Sequence, residues 1–271
     1  MTTAPPVEQY LLLVALPAAL SLSWLLGIGD GLRFSLAADS VVVDGRTLLT
    51  AFISNYIHVS GRHLFDNLLN FWLTLFGLYP LVSIAGWERR FRRLTVACLL
   101  VVPFVVAWVT LATLGQVTNQ PSAGFSGIVA AFLGVVPVAL VAAGGKLTDG
   151  ALDPAWSVVP FFGSLAVVFA VPSVWYFPVQ PLVAIGCAGA ALLAAGLLWW
   201  VAPPRGIVAA GRSLSADHRL ALLIGATVFV FGVVGALVIV PFGTNVWGHL
   251  TGYVTGFLFA YLGSVIVPAV W

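Results

Sequence analysis

Ser126 stands in the run Gly124-Phe125-Ser126-Gly127, where a long apolar stretch begins. A serine hydroxyl is a weak nucleophile until a neighbouring base takes its proton. Only four histidines are available for that role: His58, His63, His218 and His249. His218 belongs to a polar loop, whereas the other three sit at or beside the ends of apolar runs. His63 is followed by Asp66, Asn67 and Asn70. On a helix, Asn67 falls about 40° from His63, Asp66 about 60° the other way and Asn70 about 20° away. Thr74 continues that line, and Phe65, Leu68, Leu69, Phe71 and Trp72 take the rest of the surface. A stripe of this kind must face protein or a water-filled cavity, and interhelical hydrogen bonding alone would also account for it. His249 lies beside Gly248, Gly252, Gly256, Ala260 and Ser264, small residues at every fourth position that form a seam for close helix contact. The helix of Ser126 has its own small residues, Gly127, Ala130, Ala131 and Gly134, and is the natural partner of that seam. The Ser126 motif is weak by itself. Glycine and serine often serve helix packing, and Ile128 breaks the five-residue G-x-S-x-G elbow of soluble hydrolases.

The elements that must position these residues follow from composition. Of 271 residues, 61% are hydrophobic and 7% charged, against about 25% charged in an ordinary soluble chain. So few charges cannot cover a globule of this size in water. With a mean hydropathy of +1.09, the composition points to lipid as the main solvent and excludes a soluble enzyme, a disordered chain and a disulfide scaffold. The net charge of +2 gives no reason to expect a nucleic-acid partner. Cys98 and Cys187 lie inside apolar runs and read as small packing residues. A transmembrane helix needs about 20 apolar residues, and runs of about that length occur near 9–28, 63–84, 94–115, 124–145, 156–176, 181–202, 219–240 and 246–268. The expectation is therefore an all-α, polytopic membrane protein of about eight spans in one domain over 1–271. Pro160, Pro172, Pro178 and Pro181 make the fifth and sixth spans the least regular.

Basic residues collect on the cytoplasmic side of membrane proteins. With the N-terminus inside, Arg89, Arg90, Arg92, Arg93, Lys146, Arg205, Arg212 and Arg219 all fall inside, and only Arg33, Arg46 and Arg62 fall outside. Both termini are then expected to be cytoplasmic, in a multi-pass protein of the cell membrane. The same alternation puts His63, Ser126 and His249 at the outer ends of their helices. An odd number of crossings separates Ser126 from His249, so the two reach the same face.

With these residues in place, the chain resembles the rhomboid family of intramembrane serine proteases. His58-x4-His63-x3-Asn67 is similar to the family's second core helix. Gly124-Phe125-Ser126-Gly127, with Gly134 seven residues on, is similar to its serine helix, and Gly248-His249-x2-Gly252-x3-Gly256 to its histidine helix. The resemblance covers roughly 50–145 and 240–265. It implies a six-helix core with two additional spans within 150–218, and a catalytic dyad of Ser126 as nucleophile and His249 as general base. It also implies an oxyanion hole from His63, Asn67 and the Ser126 backbone N–H, supported by Gly124, Gly127, His58 and Gly252. No cofactor and no metal are implied, and the implied substrates are single-span membrane proteins cut within the bilayer.

The chain departs from the family pattern in four places. Three spans rather than one separate the serine and histidine helices. Ala130 stands where relatives often carry a tyrosine that stacks on the histidine, so Tyr253 or Phe125 is expected to orient His249 instead. The first outer loop has no Trp-Arg pair, although Arg46 can stand for its arginine. Asp66 beside Asn67 is unusual, and is expected to act on His63 or to hydrogen-bond across the site. The stripe His63, Asp66, Asn67 and Asn70, together with Ser126, is expected to line a water-filled pocket open to the outside. Two other readings stay open: a catalytically silent relative that binds transmembrane clients, and a transporter or metal site using His58, His63, Asp66 and His249, ligands suited to a divalent cation.

Overall fold

The computed structural model describes residues 7–29, 31–37, 44–204, 211–241 and 243–266. Both termini and Arg205, which entered the expected orientation, lie outside the described residues. Val7–Tyr10, the π-helical Leu11–Ala15 and Leu16–Leu25 run on as one helix, α1. There follow α2 (Gly45–Ile53), α3 (Gly61–Ala85), α4 (Glu88–Leu100), α5 (Val102–Leu114) and α6 (Ser126–Leu147). The chain continues through α7 (Val158–Ala170), α8 (Pro181–Val201), α9 (Ala216–Val233, prolonged by the π-helical Val234–Val238) and α10 (Val246–Tyr261, prolonged by the π-helical Leu262–Ile266). Among the described residues there is no strand, only isolated bridges pairing Phe34 with Ser122 and Val174 with Phe177.

Each apolar run seen in the sequence is helical, but not all are long. Among the described residues four helices (α3, α6, α8 and prolonged α9) are long and apolar enough to cross a membrane. A fifth span arises if α4 and α5, bent by 41° at their junction, count as one. The shortfall against about eight has local causes. A π-turn interrupts the first run. The fifth run stops being helical at Ala170, ahead of Pro172 and Pro178. The last is diluted by Gly248, His249, Thr251, Gly252, Thr255 and Gly256, which lower its apolar content. What stands is a multi-pass, all-helical bundle.

Helix α6 is its axis. Nearly all of its apolar length is buried, as its content of Gly, Ala and Val on every face demands, since a helix apolar all round belongs inside. α10 packs along it through backbone contacts. A Cβ on Gly252 would collide with the Gly127 carbonyl, one on Gly256 with the Ala131 carbonyl, and one on Gly134 with the Tyr253 carbonyl. The four-residue seam read from the sequence is thus the α6–α10 interface, and its expected partner helix is the one observed. α3 packs on another side of α6 through Phe71, whose ring meets Phe125 at 5.3 Å and Phe132 at 5.5 Å. α7 and α8 pack on one another, and α8 turns Leu182, Leu192 and Trp200 outward.

Candidate active site

The segment leading into α6 is pinned from both sides. Phe34 and Ser122 exchange backbone hydrogen bonds of 3.1 and 2.9 Å, and the Gly124 N–H donates to the Ser54 carbonyl at 2.9 Å. Gly124 has φ +132°, a conformation that residues with a Cβ rarely adopt. It also has no space for one. A Cβ there would stand 2.5 Å from His63 Cε1, 2.9 Å from His63 Nε2 and 3.6 Å from Asn67 Nδ2. The glycine therefore turns the chain into α6 and admits the two side chains of α3 beside it.

Ser126 is the first residue of α6. The first N–H groups of a helix have no partner within it and sum to a partial positive charge. Among the described residues no hydrogen bond uses the N–H of Ser126 or of Gly127, while Ile128 and Val129 both donate to the Phe125 carbonyl. The hydroxyl and these free donors are therefore together at the mouth of a long, buried helix, an arrangement suited to an oxyanion.

His249 enters from the first turn of α10. Asn245 caps that helix, its Oδ1 accepting from Gly248 N–H at 2.8 Å, and ties it to α5 by donating from Nδ2 to Thr110 Oγ1 at 2.9 Å. The imidazole Nδ1 lies 2.7 Å from the carbonyl oxygen of Ala236 in the π-helical end of α9. A carbonyl only accepts, so Nδ1 carries the hydrogen and Nε2 presents a lone pair. Ser126, His249, Gly124, Gly127, Gly248 and Asn245 line one cavity with Ser54, Asn55 and Ser122, about 30 Å³ in volume. That is room for water, which needs about 10–15 Å³ by this measure, and far too little for a peptide. Among the described residues no hydrogen bond joins Ser126 to His249.

Asn67, buried on α3, directs Nδ2 to His58 Nε2 at 2.9 Å. The Phe125 N–H approaches the same nitrogen at 3.4 Å. His58 Nε2 therefore accepts from both, and its hydrogen resides on Nδ1, which is buried without a partner. The His58 ring also meets His63 edge-on at 5.3 Å. His58, in the turn before α3, is pushed down to about 4 by burial, with the neighbouring His63 adding to it.

Three expectations are corrected. Tyr253 does not orient His249: its hydroxyl is 2.7 Å from Ser164 Oγ and its ring stacks on Phe161 at 5.5 Å. Phe125 packs instead against Tyr56 and Phe71. Asp66 does not hydrogen-bond across the site; it is exposed and lies 3.9 Å from Arg62, an i,i+4 pair on the outer surface of α3, and of its two expected roles only the action of its charge on His63 stands. The polar stripe consequently divides. None of the four lines the cavity of Ser126 and His249, contrary to expectation: His63 and Asn67 lie behind its wall beside Gly124, and Asp66 and Asn70 are exposed, with Asn70 Nδ2 donating to the Asp66 carbonyl at 2.7 Å. Among the described residues no three His, Cys, Asp or Glu side chains converge as a metal site requires. Reading the sequence missed Asn245, Asn55, Ser54 and the Ala236 carbonyl. Asn245 alone had a local signal, an Asn at the N-cap of an apolar run. No family model, curated protein or solved structure matches the chain.

Proposed function

We propose that the protein is an intramembrane serine endopeptidase of the rhomboid kind, using Ser126 and His249 as a dyad. The observation that carries this reading is the shared cavity, in which a serine at a buried helix start and a histidine with its Nε2 lone pair free are walled in together. Ser126 Oγ attacks the scissile carbonyl carbon while its proton passes to His249 Nε2. The oxyanion is met by the Ser126 N–H, by the second hydrogen of the Asn67 amide, and by His63 as the tautomer whose facing nitrogen carries hydrogen. The C–N bond then breaks as His249 returns the proton to the leaving amine. Water, activated by the same nitrogen, hydrolyses the ester. In this reading the six-helix core is α1, α3, the α4–α5 pair, α6, α9 and α10, with α7 and α8 as the added pair. The site lies at the outer face, both termini are cytoplasmic, and the substrates are single-span proteins whose segment near the site unwinds readily.

The silent client-binding alternative draws on one observation, the lack of a Ser126–His249 hydrogen bond in a cavity too small for substrate. Catalytic hydrogen bonds are often loose before substrate binds, which favours the enzyme. The test is purified protein in liposomes with a single-span substrate and a fluorophosphonate probe. Wild type should cleave and label at Ser126, and Ser126→Ala and His249→Ala should lose turnover by orders of magnitude while keeping their fold. A folded wild type that neither cleaves nor labels refutes the proposal.

A further inference from the structure

We infer that the main-chain carbonyl of Ala236 is the positioning group for His249, so that the third member of the catalytic set is a piece of helix backbone rather than a side chain. The inference rests on the dyad reading above and deepens it. The hydrogen bond is 2.7 Å long, and its acceptor fixes both the tautomer and the plane of the ring.

The carbonyl is free for a reason written in the chain. Residues Val234–Val238 are π-helical, and in that register a carbonyl bonds the N–H five residues on, as Val234 does with Ile239 at 2.7 Å. The corresponding partner of Ala236 is Pro241, which has no N–H. Like the other carbonyls of a last helical turn, that of Ala236 has no partner within its helix; Pro241 removes the one N–H that a continued π-register would bring, and His249 supplies the donor. Such an orphaned carbonyl needs a partner wherever it is buried.

Among the described residues no other group hydrogen-bonds the imidazole. Ala130 offers no ring to stack on the imidazole, and the end of α9 holds it through Nδ1. Tyr253 is engaged with Ser164, and Asp66 is at the surface. A carbonyl also suits the setting, since it carries no net charge to desolvate, whereas a buried carboxylate would.

The experiment weakens the carbonyl without touching a side chain. Replacing Leu237 in the full-length protein with its α-hydroxy analogue turns the Ala236–Leu237 amide into an ester, whose carbonyl is a poorer acceptor. The same replacement at Val230 serves as a control for losing one helix N–H. The expected result is a fall in kcat of about tenfold to a hundredfold with KM within about twofold, consistent with the sensitivity of catalysis to small misplacements, and no such fall for the Val230 ester. Independently, ¹⁵N spectra of the four histidines, assigned by single substitutions, should place the His249 hydrogen on Nδ1 in wild type and show that preference reduced in the ester. A fluorophosphonate-reactive wild type whose Leu237 ester keeps full kcat, or whose His249 carries its hydrogen on Nε2, overturns the Ala236 assignment alone. A folded wild type that does not react with the probe overturns the dyad, and with it the catalytic meaning of the bond.

Discussion

Gly124→Ala tests the site with one carbon atom. The added Cβ meets two penalties. The first is backbone: φ is +132°, and holding a residue with a Cβ in a sparsely populated region costs about 1–3 kcal/mol. The second is contact. Ordinary van der Waals approach begins near 3.4 Å, and His63 Cε1 would be at 2.5 Å, so the imidazole must withdraw by roughly 1 Å or α6 must shift its start. A displacement of about 1 Å costs on the order of 10²-fold in rate, and loss of one oxyanion donor costs about 10²–10³ in kcat. The expected outcome is a protein less stable by about 1–3 kcal/mol, with kcat reduced by about 10²–10³ and KM little changed. The assay is single-span substrate cleavage in liposomes across a substrate series, with thermal unfolding in detergent run in parallel. A double-mutant cycle separates the mechanisms. If the loss acts through His63, Gly124→Ala combined with His63→Ala should turn over no more slowly than the worse single variant. Gly124→Ala with kcat within threefold of wild type would refute the geometry, and full additivity would refute the route through His63.

Four further outcomes follow. Gly252→Ala places a Cβ into the Gly127 carbonyl and should cost about 1–3 kcal/mol by overpacking; Gly189→Ala on α8, with nothing within 4 Å, should be neutral in the same unfolding assay. Asn67→Ala should lower kcat by about 10²–10³, measured at saturating substrate, and equal turnover would remove it from the oxyanion hole. The His58 imidazole, depressed to about 4 from an ordinary value near 6.5, is neutral when folded and binds protons first when unfolded. Its contribution to stability is thus full above pH 6.5 and lost as pH falls towards 4. Unfolding temperatures measured over that window should drop less steeply in His58→Gln, and an unchanged slope would contradict the burial of this ring. Single cysteines placed at Arg46 and Arg62 should react with an impermeant thiol reagent from outside intact cells and those at Arg90 and Lys146 should not; the reverse pattern would invert the proposed orientation.

Some of this site was legible in the sequence because the relevant physics has a period. Small residues at 248, 252 and 256 repeat once per helix turn, and the structure turns that repeat into backbone contact with Gly127 and Ala131. Ser126 and His249 share a cavity because both start helices running the same way through the bundle, which counting spans already implied. The misreadings have equally local causes. A helical wheel puts Asp66 and Asn67 within about 100° of each other but does not say which edge of the stripe meets protein; Arg62, four residues before Asp66, was the sign that Asp66 belongs to the surface. The span count came from apolar length, which the break after Ala170 leaves unchanged; four or five of about eight expected spans are long and apolar enough among the described residues. The Ala236 carbonyl was invisible for a deeper reason. Every residue has a carbonyl, and this one is free because it lies in the last turn of α9, a boundary that apolar length does not mark.

The two halves of the site differ in how they are held, and that difference bears on how a substrate would enter. The Ser126–His249 half is fixed by main chain: glycines of α6 and α10 in direct contact, the Asn245 cap, and the α9 carbonyl on the imidazole. Moving these groups apart means pulling backbone from backbone along a close-packed seam. The His63–Asn67 half is fixed by side chains, through one amide-to-imidazole hydrogen bond and the edge of a ring. A cavity of about 30 Å³ must enlarge before a peptide bond reaches Ser126, and side-chain rotation requires far less reorganisation than separating helices. In the proposed mechanism, Ser126 and His249 would then keep their relation while His63 and Asn67 close onto the substrate. Among the described residues no Asp, Glu, Lys or Arg lines the cavity, and the ion pair of Arg62 with Asp66 lies on the exposed face of α3. If the site is hydrolytic as proposed, this assembly avoids the desolvation cost that a buried carboxylate would impose within the bilayer.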